Sequence, residues 1–281
     1  MKFTRIDEVS VSGGYVNLDL QGHKENVFWV IDGATALSSD KPDKATYEVQ
    51  SIVEKIDETI KTRTDDTRVS LKNIMYEAAE EVNTLIPELH RREPWEIPSC
   101  AIAITRVNEE SIDYILLGDV TIAVFQSDGL HVITDNSVGV LDKIAITEKY
   151  RLQVDYGFTS KEARNAITPI LRENRSKMNT PNSYWIFNGD INAIDNALTG
   201  KIQIKNSGKL LLSTDGFSRL VDLFSAYNTW ESLLNDLENK TLEDMANRLR
   251  KLELQDPECI NYPRFSIHDD ATAIYAEFES E

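Results

Sequence analysis

Residues 210–220 read LLLSTDGFSRL. With Lys209 and Ser213 at its edges, the leucine run reads as a buried strand, and Asp215-Gly216 reads as the turn that ends it. The same device occurs twice upstream. Residues 26–31 (NVFWVI) run into Asp32-Gly33, and residues 111–117 run into Gly118-Asp119. Asp269-Asp270 stands directly before a last apolar run, 271–277. One Asp-Gly pair after a strand is ordinary turn chemistry. Four acidic strand ends are a different pattern, because strand ends are rigid and can hold carboxylates at one rim of a sheet. Glycine beside a carboxylate also lets another group approach closely.

Outward from these strands, Ala45, Val49, Ile52, Val53, Ile56 and Ile60 recur at helical spacing. They predict an amphipathic helix over about 43–64, after a polar break at 38–42 with Asp40 as its cap. Leu71, Ile74, Met75, Ala78, Val82 and Leu85 predict a second over about 70–91, with Asp65 and Asp66 in the turn between the two. Residues 3–20 read as one or two strands around Gly13-Gly14. Further strands are expected at 100–107, 111–117, 120–126 and 130–134, the last two joined by a turn at Asp128-Gly129. Residues 143–177 are mixed and polar, with a helix over 160–173. Short strands follow at 183–187, 202–205 and 209–213, then helices over 229–237 and 242–254. Helices in pairs between groups of strands predict an α+β fold, one domain over 1–281, with two sheets stacked face to face rather than a Rossmann-type sheet.

The chain of 281 residues carries 30 Lys and Arg against 47 Asp and Glu, a net charge of −17. Such a chain repels phosphate backbones and anionic bilayers, so neither nucleic acid nor a membrane is an expected partner. Cys100 and Cys259 are too few for a disulfide framework or a zinc site, and Cys100 sits in an apolar run that reads as core. The opening MKFTRIDEVS has no apolar segment and no run approaches ~18 apolar residues, so a cytoplasmic monomer is expected. The four histidines, His23, His90, His131 and His268, are scattered, which disfavours zinc or iron. Carboxylates as the only abundant ligands suit Mg²⁺ or Mn²⁺. Ser213-Thr214-Asp215 has no histidine at a triad spacing, so a serine hydrolase is a poor reading.

Read in order, the segments resemble the motifs of the metal-dependent protein phosphatases, the type 2C Ser/Thr phosphatase family. Residues 30–35 (VIDGAT) resemble its "DG" metal motif, in the "DGAT" form of bacterial members. Gly118-Asp119 resembles the start of "GDSR", and 130–137 (LHVITDNS) resembles "LTxDHS". Residues 210–220 resemble "LLxSDGL", and 268–274 (HDDATAI) resemble "DNxT". The resemblance implies a four-layer α-β-β-α sandwich, two antiparallel sheets flanked by helix pairs. It implies hydrolysis of phosphoserine and phosphothreonine in proteins by a metal-activated water, with two Mn²⁺ or Mg²⁺ ions and a third, weaker site. By position, Asp32 would bridge the two metals and carry the catalysis. The Gly33 carbonyl would ligate one of them, Asp215 and Asp269 would bind the other side, and Asp119 would serve the third site. Residues 143–177 would hold a flap beside the site.

Three departures stand out. The family's upstream "NED" is Asn17-Leu18-Asp19 here, so its Glu is Leu18 while Asp19 remains available. The family's phosphate-binding Arg falls at Gly14, and the His after "DG" falls at Ala34. Phosphate must then be held by metals or another cation, with Lys2, Lys24 and Arg5 as candidates, and the leaving group could be protonated by metal-bound water or by His268. These losses motivate a rival, a catalytically inactive pseudophosphatase that acts as a binding module. A haloacid-dehalogenase-type reading of 31–35 lacks the second Asp it needs, since that position is Ala34.

Overall fold

A computed structural model describes residues 1–37 and 42–280. In chain order the elements are β1 (Lys2–Val11), β2 (Leu20–Lys24), β3 (Val27–Ala34), α1 (Pro42–Arg63) and α2 (Leu71–Leu85). Then come β4 (Ser99–Val107), β5 (Ser111–Leu117), β6 (Thr121–Gln126), β7 (Gly129–Ile133), α3 (Ser137–Tyr156), α4 (Ser160–Ala166), α5 (Thr168–Arg175) and α6 (Ile191–Asp195). The chain closes with β8 (Leu198–Gln203), β9 (Ser207–Ser213), α7 (Asp215–Asp222), α8 (Trp230–Asp236), α9 (Leu242–Leu254) and β10 (Ala271–Glu279).

The strands form two five-stranded antiparallel sheets, ordered β1-β10-β9-β6-β7 and β2-β3-β4-β5-β8. Strand alternation sets the layers. Leu210 and Leu212 of β9, with Ile274, Ala276 and Phe278 of β10, enter the core between the sheets. Leu211, Ala273 and Tyr275 point the other way, into a second core under α7, α8 and α9. Both faces of these strands are covered, which is why three successive leucines can all be buried. On the far side, α1 and α2 pack on the second sheet. There Val27, Phe28, Trp29, Val30 and Ile31 of β3 are wholly buried, and the Trp29 indole N–H donates to Asp57 Oδ1 of α1 at 3.0 Å. The expected α+β sandwich of helix layer, two antiparallel sheets and helix layer is the fold observed.

Several local expectations need correction. The second helix stops at Leu85 rather than near Arg91: Ile86 leaves the helical conformation ahead of Pro87, and a separate 3₁₀ turn follows at Leu89–Arg91. β3 does not end before Asp32 but runs through Gly33 to Ala34, paired with β4. The polar stretch 143–177 is almost entirely helical. It begins at Ser137, and the helix expected over 160–173 is broken at Ile167, just before Pro169, into α4 and α5. Residues 183–187 form isolated bridges rather than a strand. Asp215-Gly216 opens helix α7 instead of a turn. The cap expected at Asp40 lies outside the described residues. Among the described residues no helix is long and apolar enough to cross a membrane.

Candidate active site

The acidic strand ends meet at one rim of the sandwich. The end of β3 supplies Asp32, the β5–β6 connection Asp119, the first turn of α7 Asp215, and the segment before β10 Asp269 and Asp270. All five line a single cavity of about 590 Å³, together with Gly33 and His268. Asp19, in the loop between β1 and β2, lies behind them: it is buried and accepts a hydrogen bond from Thr214 Oγ1 at 2.7 Å. Thr214 Oγ1 in turn accepts from Thr272 N at 3.0 Å, so one hydroxyl ties Asp19 to both central strand ends.

Close backbone contacts hold the cluster. Asp269 and Asp270 are pinched between two glycines. A Cβ at Gly13 would stand 2.2 Å from the Asp269 carbonyl carbon, and one at Gly216 would stand 1.9 Å from the Asp270 carbonyl oxygen. Asp270 fastens the β1–β2 loop by accepting from Gly13 N and Leu18 N, each at 2.7 Å. Gly216→Ala should therefore cost roughly 1–3 kcal/mol, because the clashing atom is backbone and cannot swing aside. A denaturant melt of the variant unchanged from wild type would contradict this packing.

The electrostatics are those of carboxylates forced together. Desolvation pushes the Asp32 carboxyl well above the usual range, and Asp19, Asp215, Asp119 and Asp269 push it further. Asp119 is raised by burial and then by Asp215 and Asp142. Asp19 is raised by burial, against the Thr214 hydrogen bond that pulls it down, with Asp270, Asp215 and Asp269 adding to the rise. Asp269 is pushed up to about 7 by burial even though Arg219 of α7 pairs with it and pulls the other way. Arg219 offsets part of this repulsion, and cations bound from outside the chain would offset the rest.

Hard divalent ions fit that demand: the donors are oxygens on separate rigid elements. Among the described residues no three Asp, Glu, His or Cys side chains converge as a ready-made chelate. The arrangement suits an ion that keeps much of its water and takes one or two carboxylates, as Mg²⁺ does, more than a tightly caged one.

Other residues at the site were not anticipated from the sequence. Glu253 of α9 is fully buried and accepts from His268 Nδ1 and from Arg250, each at 2.7 Å, and from Arg219 at 3.4 Å. Asp142, Arg164 and Arg175, from α3, α4 and α5, line the cavity opposite the strand ends. The cations expected to replace the missing arginine are engaged elsewhere. Lys2 pairs with Glu279 at 3.1 Å and Lys24 with Asp65 at 2.6 Å, while Arg5 binds Asp7 at 3.0 Å and the carbonyls of Leu237 and Lys240. None of the three lines the cavity.

No curated protein matches the sequence. Solved structures do match the fold. The serine/threonine phosphatase PstP/Ppp of Mycobacterium tuberculosis is 16% identical, with 98% of each chain covered and a TM-score of 0.58. Serine/threonine phosphatase Stp1 of Staphylococcus aureus is 15% identical, covering 99% of this chain and 96% of its own, also at 0.58. The catalytic domain of PstP in complex with two manganese ions is 16% identical, with 97% of each chain covered, at 0.55. At these identities the likeness speaks for the fold. The sequence supplies the rest: residues 18–254, most of the chain, match Protein phosphatase 2C, and the chain belongs to that family.

Proposed function

We propose that the protein is a metal-dependent phosphatase that removes phosphate from phosphoserine and phosphothreonine in other proteins. The observation that carries this reading is the group of half-buried, mutually repelling carboxylates around one cavity, at the sequence positions where the family has its metal motifs. Asp32, the Gly33 carbonyl, Asp215 and Asp269 would hold two Mn²⁺ or Mg²⁺ ions, with Asp119 at a third position and Asp19 supporting. When bound, such a pair lowers the pKa of water and offsets phosphoryl charge. Asp32 would orient the attacking water in line with phosphorus. His268, fixed through Nδ1 on Glu253, would keep its other ring nitrogen for the leaving oxygen.

The DGAT segment at Asp32–Thr35 supports placing the protein with bacterial members, the net charge of −17 favours a monomer, and phosphoprotein substrates would give it a role in cytoplasmic signalling. Helices α3–α5 would be the flap. The test is hydrolysis of p-nitrophenyl phosphate and of a phosphothreonine peptide in Mn²⁺, Mg²⁺ or EDTA. Turnover should need metal, stop in EDTA and return when metal is restored. Metal-independent turnover would sink the mechanism. A protein that Mn²⁺ stabilises but that never turns over would be the binding module instead.

A further inference from the structure

The family's phosphate-binding arginine is absent at Gly14, and a Cβ built there meets nothing within 4 Å. The cavity still contains two guanidinium groups, on its opposite wall. Arg164 of α4 makes no hydrogen bond or ion pair among the described residues; its guanidinium carbon lies 5.6 Å from the Phe265 ring centre. Its five N–H donors are therefore open to an acceptor from outside the chain. Burial pulls its pKa below the usual value, with Asp142 opposing. Arg175 of α5 is held over the end of β3 by long hydrogen bonds to Ser99 Oγ at 3.2 Å, the Thr35 carbonyl at 3.3 Å and the Ile97 carbonyl at 3.4 Å. The strand ends thus bring only carboxylates to the cavity, while α3–α5 bring both guanidinium groups together with Asp142, whose charge acts on each of them.

We propose that Arg164, with Arg175 beside it, binds the phosphoryl oxygens of the substrate, so that the phosphate grip comes from the α4–α5 helices and not from the β1–β2 loop. The planar fork of a guanidinium matches two oxygens of a phosphate monoester dianion, where an ammonium offers only a point charge. The assignment rests on the phosphatase reading for the identity of the anion. It accounts for two half-buried guanidinium groups in the cavity, of which Arg164 makes no hydrogen bond or ion pair among the described residues.

The experiment uses the full chain loaded with Mn²⁺ and inorganic phosphate as the probe, with binding followed by calorimetry. Phosphothreonine-peptide kinetics are run in parallel. Arg164→Ala should weaken phosphate binding and raise KM by about ten- to a hundredfold, with Mn²⁺ affinity unchanged. Arg164→Lys should fall between it and wild type. Arg175→Lys should weaken phosphate binding too, and Arg164→Ala should fold normally because no hydrogen bond is lost. Phosphate affinity and KM within about twofold of wild type in both Arg164→Ala and Arg175→Lys would overturn the assignment while leaving hydrolysis intact. Phosphate binding that is lost in Arg164→Ala, in a wild type that never turns over, would uphold the arginines and reject the hydrolytic reading. A wild type that does not bind phosphate at all would overturn the assignment.

Discussion

Asp32→Asn should lower turnover in Mn²⁺ by about three orders of magnitude or more, and in EDTA the same variant should melt higher than wild type. The two halves have one cause. Asp32 sits where burial and four neighbouring carboxylates all disfavour its charge. Asparagine keeps the shape and removes the charge, so the metal-free fold is relieved of repulsion, while the oxygen that would ligate metal becomes a weak donor. A rise of a few degrees in Tm is the expected scale for a relief of ~1 kcal/mol in a chain of this length. The opposite pattern, a variant less stable than wild type in EDTA with turnover largely kept, would mean that Asp32 is a turn residue with satisfied hydrogen bonds. Steady-state kinetics and a thermal melt on one preparation decide between the two.

What the sequence made legible depended on whether a residue's position left a local signal. Asp32, Asp119, Asp215 and Asp269 sit at the ends of apolar strands, and a strand end next to Gly or Asp is visible in a single window of text. The arginines across the cavity are not visible in that way. They ride on α4 and α5, in a segment whose first helix, α3, has apolar residues on all sides. Val140, Ile144 and Val154 remain 64%, 55% and 54% exposed, so no stripe marks a buried face. Arg219 was hidden for a different reason. Once Asp215-Gly216 is read as a turn, the residue four positions on has no defined direction. As the start of α7, the same pair puts Arg219 one helical turn from Asp215, where it reaches Asp269. Glu253 did leave a trace. It follows Leu242, Met245, Ala246 and Leu249 on the buried row of α9, and a carboxylate on an apolar row signals a partner inside. The helix pair α1 and α2 followed from periodicity, and most of the strands from apolar runs bounded by turn residues. The end of α2 did not, because the local effect of Pro87 overrode an apolar pattern that continues past it.

The metal-free protein should lose stability as the pH is raised from about 5 to about 8, and Mn²⁺ should abolish most of that loss. Asp carboxyls in an unfolded chain titrate near 4. In the fold, Asp142 is pushed up to about 6, chiefly by burial and then by Asp215, with Arg175 and Arg164 opposing, and Asp269 up to about 7. Asp19, Asp32 and Asp119 are also raised well above the usual range. Between the unfolded and folded values the native state binds more protons than the unfolded one, so stability must fall with rising pH. The contribution is complete below about pH 4 and is lost as the pH climbs through the folded values. Surface carboxylates run the other way: Asp66 is lowered to about 2 by Arg68, and its small contribution is lost only in strong acid. A divalent ion competes with protons for the same oxygens and binds the native state alone, so the stabilisation it adds should be small at about pH 5 and largest at about pH 8. Thermal melts across this range, in EDTA and in Mn²⁺, give both curves. If the metal-free curve is flat, or if Mn²⁺ shifts Tm equally at every pH, the raised carboxylates are not the groups that receive the ion. If the curves converge in acid and separate toward pH 8, the repulsion seen in the fold is the free energy that metal binding releases.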